Sequence, residues 1–549
     1  MPSHAPATHL ETHEVTNQPG PFAPRNLYTT DTALREAVRR EAGDWLDSRL
    51  ERLGAVVGSE RVIELGEQAN RFPPEFAPFD RYGRRLDEVR FHPAYHELMA
   101  LAMEHHIHDL PWIEPEAKGR HIGHMAMLAV FTEAEAGTMC PINMTYASVP
   151  ALRWQPDVTQ PWIDRIIGGG YDAPLRPIVE KAGVTMGMAM TEKQGGSDVR
   201  ANATRAFPVE GGARHYRLVG HKWFCSAPMS DGFLTLAYAG GDLSCFLVPR
   251  ILPDGTRNSL QVMRIKDKLG NRSNASAEIE YHDTQAWLLG EEGRGVNVII
   301  DMVHHTRLGT LGSTLGIMRR ALAEAVNHVS GRAAFQKKLI DQPLMRGVIA
   351  DLALEYEAAV ALAVRVGAAF DPEDGADAAL ARLAVAVAKY WLTKRNPGFV
   401  YECMECLGGG GYVEESPMPR LFRESPINAI WEGSGNVIAL DILRTLRRAP
   451  EAVEALSAEL AAGAGGDRAY DAALRTLKEQ LSGAPEEARG RQVAERMALL
   501  LQASLLIRHA PAAVADAFCA TRLGDAGARL FGVLPRDADV AGILARQGV

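Results

Sequence analysis

A chain of 549 residues, 46% of them hydrophobic, can bury several cores, and its length suggests about three or four domains. A formal charge of -9 excludes a protein that coats nucleic acid or another polyphosphate over its whole surface, so any such contact must be local. Six sparse cysteines, no run of about 18 apolar residues, and an opening MPSHAPATHLETHE without a secretory leader predict a cytoplasmic protein with reduced thiols and no membrane segment.

Residues 1–183 begin as a polar, proline-containing arm and continue as helices. In DTALREAVRREAGDWLDSRLERL and RHIGHMAMLAVFTEAEAG, apolar residues recur three or four apart. From residue 184 to 292 the texture changes to short alternating runs broken by turns: HYRLVGHKWFCS, FLTLAYAGG, LSCFLVPRI, NSLQVMRI and AEIEYHD. That spacing predicts an antiparallel barrel or sandwich. Residues 293–448 return to long helical patterns, GSTLGIMRRALAEAVNHVSGRAAF and DAALARLAVAVAKYWLTKRN, which a helical bundle would pack. A further helical segment, 449–549, follows, with AAGAGGD (461–467) expected as a flexible joint. The fold class expected is therefore α+β: helical domain, β domain, helical bundle and helical extension.

Two stretches carry the chemistry. MAMTEKQGGSDVRANATR (188–205) combines the hydroxyls of Thr191 and Ser197 with Gly195 and Gly196, where backbone can approach a phosphate-bearing cofactor. It lacks the GK[ST] ending of a P-loop, and no GxGxxG follows a strand, so a Rossmann nucleotide site is disfavoured. INAIWEGSGN (427–436) places Glu432 after Ile430 and Trp431, and a carboxylate among apolar groups moves toward the range of a general base. His92 and His96 are four apart but separated by Pro93 with no matching acid, and Cys403 and Cys406 form a CxxC without a second pair; both are read as structural.

Together with GHKWFCS (220–226) and KDKLGNRSNASAEIEYHD (266–283), and with LGGGGY (407–412) ahead of the second stretch, these motifs occur in an order that resembles the acyl-CoA dehydrogenase family as far as about residue 448. The wording KLGNRSNAS and IWEGSGN, the long arm and the extension resemble its alkylation-response (AidB-type) branch. The resemblance implies bound FAD, with Met190, Thr191, Gly196, Ser197, Phe224, Ser226, Trp431, Ser434 and Asn436 as cofactor contacts. At the usual Trp-x-Thr, Phe224-Cys225-Ser226 keeps the hydroxyl and replaces the indole by a phenyl ring. Glu432 matches the family base, which removes the proton α to a thioester carbonyl while hydride leaves the β carbon for the flavin. The carbonyl oxygen is then held by the base's own backbone N–H and a flavin hydroxyl. An acyl-CoA thioester or similar substrate, an electron-transfer flavoprotein and a homotetramer are implied as partners. Gly408–Gly411 would line the adenosine side of FAD. Arg332 and Phe335 resemble an inter-subunit Arg-x-x-Phe, but are read as an exposed helix-end arginine and a core phenylalanine.

Relatives of that branch are associated with duplex DNA binding through the extension. From Asp441 to Val549 there are 14 Lys+Arg and 14 Asp+Glu, a neutral sum that does not by itself make a phosphate-binding face. Arg444, Arg447, Arg448, Arg489, Arg491 and Arg496 nevertheless fall in tight groups.

Overall fold

A computed structural model describes residues 6–372, 375–483, 486–524 and 530–549. Helices from Thr32–Ala42 to Pro156–Ile166 come first. Side chains that accept the otherwise unpaired first-turn N–H groups start them: Asp31 takes Leu34 N, Ser59 takes Val62 N, and His92 takes Ala94 N with Pro93 at the first helical position. A hairpin interrupts these helices, β1 (Glu75–Phe79) antiparallel to β2 (Arg85–Arg90). The sequence reading missed it, because FAPFDRYGRRLDEV is dominated by charges and turn residues.

Seven strands follow: β3 (Met186–Ala189), β4 (Arg205–Pro208), β5 (His215–Ser226), β6 (Gly232–Ala239), β7 (Asp242–Pro249), β8 (Leu260–Ile265) and β9 (Ser276–Leu289). Pairings β6–β4–β5–β9–β7 return to β6, so the sheet closes into a barrel. It is mixed rather than antiparallel, since β3 and β4 both run parallel to β6. Local alternation predicts strands but not which distant strand each will join.

The 37-residue helix Gly295–Gly331 runs through the centre of the molecule. A Cβ at Gly312 or Gly316 would collide with the carbonyls of Met125 or Ala129, so these glycines admit the Arg120–Thr132 helix at close range. The helices Pro343–Ala368 and Gly375–Cys406 pack on it, and one apolar core joins them to the N-terminal helices and to the extension. Leu456, Leu460, Leu474, Leu477 and Leu501 of the extension are buried in that core. AAGAGGD is not a loose joint: a Cβ on Gly463 or Gly466 would strike Ser504 or Ile507, and Asp467 caps the helix Arg468–Leu481. Gly463 and Gly466 are there because the turn is tightly packed, and Gly465 because its φ is 82°. No helix among the described residues is long and apolar enough to cross a membrane.

Candidate active site

Between the turn Ile427–Ala429 and the helix Gly435–Arg448, the chain bends through two left-handed residues, Glu432 (φ 55°) and Gly433 (φ 102°). A glutamate in that conformation costs roughly 1–2 kcal/mol, so the loop must be held from outside. Lys389 Nζ donates to the carbonyls of Trp431 (2.7 Å) and Gly433 (2.5 Å), and Arg307 Nε donates to that of Glu432 (3.1 Å). Arg307 is itself tied to Asp441 at 2.9 Å. Two buried cations thus hold three successive carbonyls.

The Thr306 hydroxyl donates to Glu432 Oε2 at 2.8 Å, fixing the direction of the other carboxylate oxygen. Burial pushes the Glu432 carboxyl above its ordinary range, against the Thr306 bond and the charges of Lys389 and Arg307. Burial, followed by repulsion from Arg307, pulls Lys389 down to about 7. None of Thr306, Arg307 and Lys389 was singled out in the sequence. The available signal was Lys389 itself, a lone cation in the apolar run LAVAVAKYWL.

Met190, Thr191, Gly196, Ser197, Phe224 and Ser226 gather at one end of the barrel. Asn202 donates to the Met190 carbonyl at 2.9 Å, and Trp223 N donates to the Thr191 carbonyl at 2.8 Å, which sets the TEKQGGSD loop beside β5. The loop is anchored by Glu192, whose carboxylate meets Lys222 Nζ (2.9 Å), Ala203 N (2.6 Å) and the Thr204 hydroxyl (2.6 Å) with no exposed side-chain surface on either partner of the ion pair. Burial raises the Glu192 carboxyl, but Lys222 and these hydrogen bonds outweigh it and hold the group down to about 2. Gly196 and Ser197 are exposed, and Phe224 keeps 48% of its surface open.

Cys140 links the two halves of the site. Burial raises its thiol to about 12, with the nearby charge of Lys268 lowering it and that of Glu432 raising it. Lys268 reaches Ser276 Oγ (3.1 Å), which pairs with Ser226 (3.4 Å), so Cys140 lies between the Ser226 end of the barrel and the Glu432 loop. Ser434 begins the Gly435–Arg448 helix with no capping bond from its hydroxyl. Asn436 is exposed, and its side-chain oxygen accepts from Arg491 Nε at 2.8 Å, so it is engaged with the extension.

The donor set fits FAD. It offers the hydroxyls of Thr191, Ser197, Ser226 and Ser434, a half-open phenyl ring for a flat heterocycle, and Trp431 Nε1, a buried N–H without a hydrogen-bond partner among the described residues.

The remaining candidates lie elsewhere. His92 is a helix cap, His96 pairs with the Tyr171 hydroxyl at 2.8 Å, and Cys403 and Cys406 are buried in a helix. Arg332 donates to the Asn17 carbonyl at 3.1 Å and so fastens the N-terminal arm. The core position expected for Phe335 is wrong: its ring is 95% exposed, on a backbone with φ of 51° just beyond the Gly295–Gly331 helix. Gly408–Gly411 form a turn at the end of the helix containing Lys389.

Comparison with known proteins follows the same division. Residues 17–173 match the adaptive response protein AidB N-terminal domain, 187–284 the acyl-CoA dehydrogenase middle domain, and 293–447 the acyl-CoA dehydrogenase C-terminal domain. The chain is 45% identical to AidB of Escherichia coli (strain K12) over 521 residues, 94% of this chain and 96% of that one. It is 30% identical to acyl-CoA dehydrogenase family member 11 of Caenorhabditis elegans over 499 residues, 85% of this chain and 78% of that one. A crystal structure of C. elegans ACDH-11 in complex with C11-CoA superposes with a TM-score of 0.85 at 26% identity, covering 99% of this chain and 98% of the other.

Proposed function

The chain belongs to the acyl-CoA dehydrogenase family, in its AidB-type branch, and from that premise we propose that it is an FAD-dependent oxidoreductase whose Glu432 removes the α-proton of an acyl-CoA thioester. The observation that carries the proposal is a carboxylate of raised pKa, aimed by Thr306, on a cation-held loop that faces the hydroxyl-bearing end of the barrel. The C11-CoA bound to ACDH-11 supports a thioester substrate. Glu432 takes the proton, and its own N–H holds the thioester oxygen as negative charge develops there. Met190, Thr191, Gly196, Ser197, Phe224, Ser226, Trp431, Ser434 and Asn436 would hold the cofactor. Bound FAD would supply the acceptor for the hydride that leaves the β carbon, with an electron-transfer flavoprotein as the electron acceptor in turn. Anaerobic addition of acyl-CoA thioesters to the purified yellow protein tests the proposal: one thioester bleaches the flavin band, and a colourless protein, or no bleaching by any of a panel, overturns it. The six free thiols, five of them buried, support a reducing cytoplasmic setting.

A homotetramer is proposed on the exposure of Phe335 and of Leu344, 88% open a few residues away. Changing both to serine is expected to shift the protein to a smaller species in light scattering at unchanged helix content. An unaltered mass would remove this surface from the assembly.

Duplex DNA binding is the second reading, supported by how the extension uses its charges. Glu459 is absorbed by Arg365 and Arg508. Arg444, Arg448 and Arg491 are exposed on two packed helices, and Arg489 is exposed in the turn just before the second, with Arg489 near Glu486 (4.0 Å) and Arg491 donating to Asn436 (2.8 Å). Deleting residues 449–549 would uncover the apolar core, so the test is charge reversal. Arg444, Arg448 and Arg489 changed together to Glu should weaken a salt-dependent mobility shift by at least about tenfold. Equal shifts in both proteins, or none at low salt, end the DNA reading.

A further inference from the structure

Lys389 is 1% exposed, and its Nζ donates to two main-chain carbonyls, those of Trp431 and Gly433, with the Glu432 carboxylate also within range of its charge. Keeping a lysine in that position is costly, because carbonyl dipoles compensate a buried charge less well than a carboxylate does. Methionine would fill similar space without the charge. The carbonyls it binds have a specific relation to the site. A trans peptide is planar, with C=O and N–H pointing in opposite directions. A cation 2.7 Å from the Trp431 oxygen therefore stands directly behind the Glu432 N–H, and one 2.5 Å from the Gly433 oxygen stands behind the Ser434 N–H. Arg307, at the Glu432 oxygen, does the same for the Gly433 N–H. Polarising an amide at its oxygen strengthens it as a donor at its nitrogen, and more so away from water.

We propose that Lys389 is a positioning residue which, through the Trp431 carbonyl, polarises the Glu432 N–H and so strengthens its hydrogen bond to the thioester oxygen during α-proton removal. This rests on the reading of Glu432 as the base. It goes beyond that reading by assigning the strength of the oxyanion donor to a side chain on a different helix, Gly375–Cys406, that does not touch the substrate. Arg307 holds the middle carbonyl and is tied to Asp441, so it keeps the loop in place when Lys389 is changed.

The test is the carbonyl stretch of a bound 13C-carbonyl acyl-CoA, read by Raman difference spectroscopy at pH 6 on the holoprotein, with Lys389→Met and Lys389→Arg beside wild type. The expected result is a band lowered from its frequency in water in wild type, a shift at least halved in Lys389→Met, and recovery in Lys389→Arg. The rate of α-proton exchange should fall on the order of 10- to 100-fold in Lys389→Met with little change in KM, less than the roughly 10²- to 10³-fold loss for removing an oxyanion donor outright, because the N–H itself remains. A lowered band that is identical in wild type and Lys389→Met overturns the proposal and leaves the base assignment standing. An unshifted band in wild type overturns both. Should Lys389→Met fail to bind flavin, Lys389→Gln, which can still donate to one carbonyl but carries no charge, decides. A shift as large as that of wild type in Lys389→Gln overturns the role of the charge, and a halved one supports it.

Discussion

Glu432→Gln will bind FAD as wild type does, and its flavin will not be bleached by an acyl-CoA thioester that bleaches the wild type. The expected loss is about 10²- to 10⁴-fold in the reduction rate, the usual contribution of a positioned general base. The change is nearly isosteric, and Gln can still accept the Thr306 hydrogen bond, so the loop should keep its shape. The carbonyls that hold the loop belong to the main chain and are unaffected. Stopped-flow spectra of the two proteins under anaerobic conditions check this. A Gln protein that is reduced as fast as wild type would remove Glu432 from the chemistry. Below the raised pKa of Glu432 the carboxylate is protonated and cannot accept, so the wild-type rate must fall as pH drops through that pKa.

Lys222→Met will be the most destabilising single change near the cofactor loop. Glu192 and Lys222 are wholly buried, and removing one partner leaves an unpaired charge inside the barrel, at a cost of about 3–5 kcal/mol. The Ala203 N–H and Thr204 hydroxyl remain to soften the loss. Since Glu192 directly follows Thr191, the flavin should be held less tightly as well, and denaturant unfolding with release of flavin absorbance measures both effects. The pH dependence has a defined sign. Glu192 is held down to about 2 in the folded protein, against 4.5 for a free glutamate, so its stabilisation is complete above about 4.5. It is lost as pH falls toward about 2. Lys222→Met should flatten that part of the acid unfolding curve, and an unchanged unfolding midpoint at neutral pH would contradict the anchoring role.

Much of the architecture was legible from local pattern. The alternation in HYRLVGHKWFCS predicts the strand found at His215–Ser226, and the three-and-four spacing of the central segments predicts the long helices. Properties that depend on distant partners were not legible. The parallel pairing of β3 and β4 with β6 is a choice among far-apart strands, and the β1–β2 hairpin is written in charged residues that pack on one face only. Gly463 and Gly466 read as a loose joint because composition does not distinguish a flexible glycine from one crowded by Ser504 and Ile507. Phe335 read as core because aromatic residues usually are buried, whereas its ring stands in the open.

The site divides in the same way. Glu432 and the hydroxyls of the TEKQGGSD loop could be picked out because their neighbours in sequence carry the signal. Thr306, Arg307 and Lys389 approach Glu432 from two other helices, 126, 125 and 43 residues away in the chain, and only the fold brings them there. Cys140, which lies within range of the charges of Lys268 and Glu432, had no local motif at all.

The most direct measurement follows the proton itself. An acyl-CoA thioester with sulfur in place of its β carbon cannot give up a hydride, so in D₂O only α-proton exchange can occur, and NMR follows it without reference to any electron acceptor. Catalysis by Glu432 predicts rapid washout of the α signal with wild type and at least about a 10²-fold slower washout with Glu432→Gln. Equal washout by the two proteins, or none by the wild type, would contradict it.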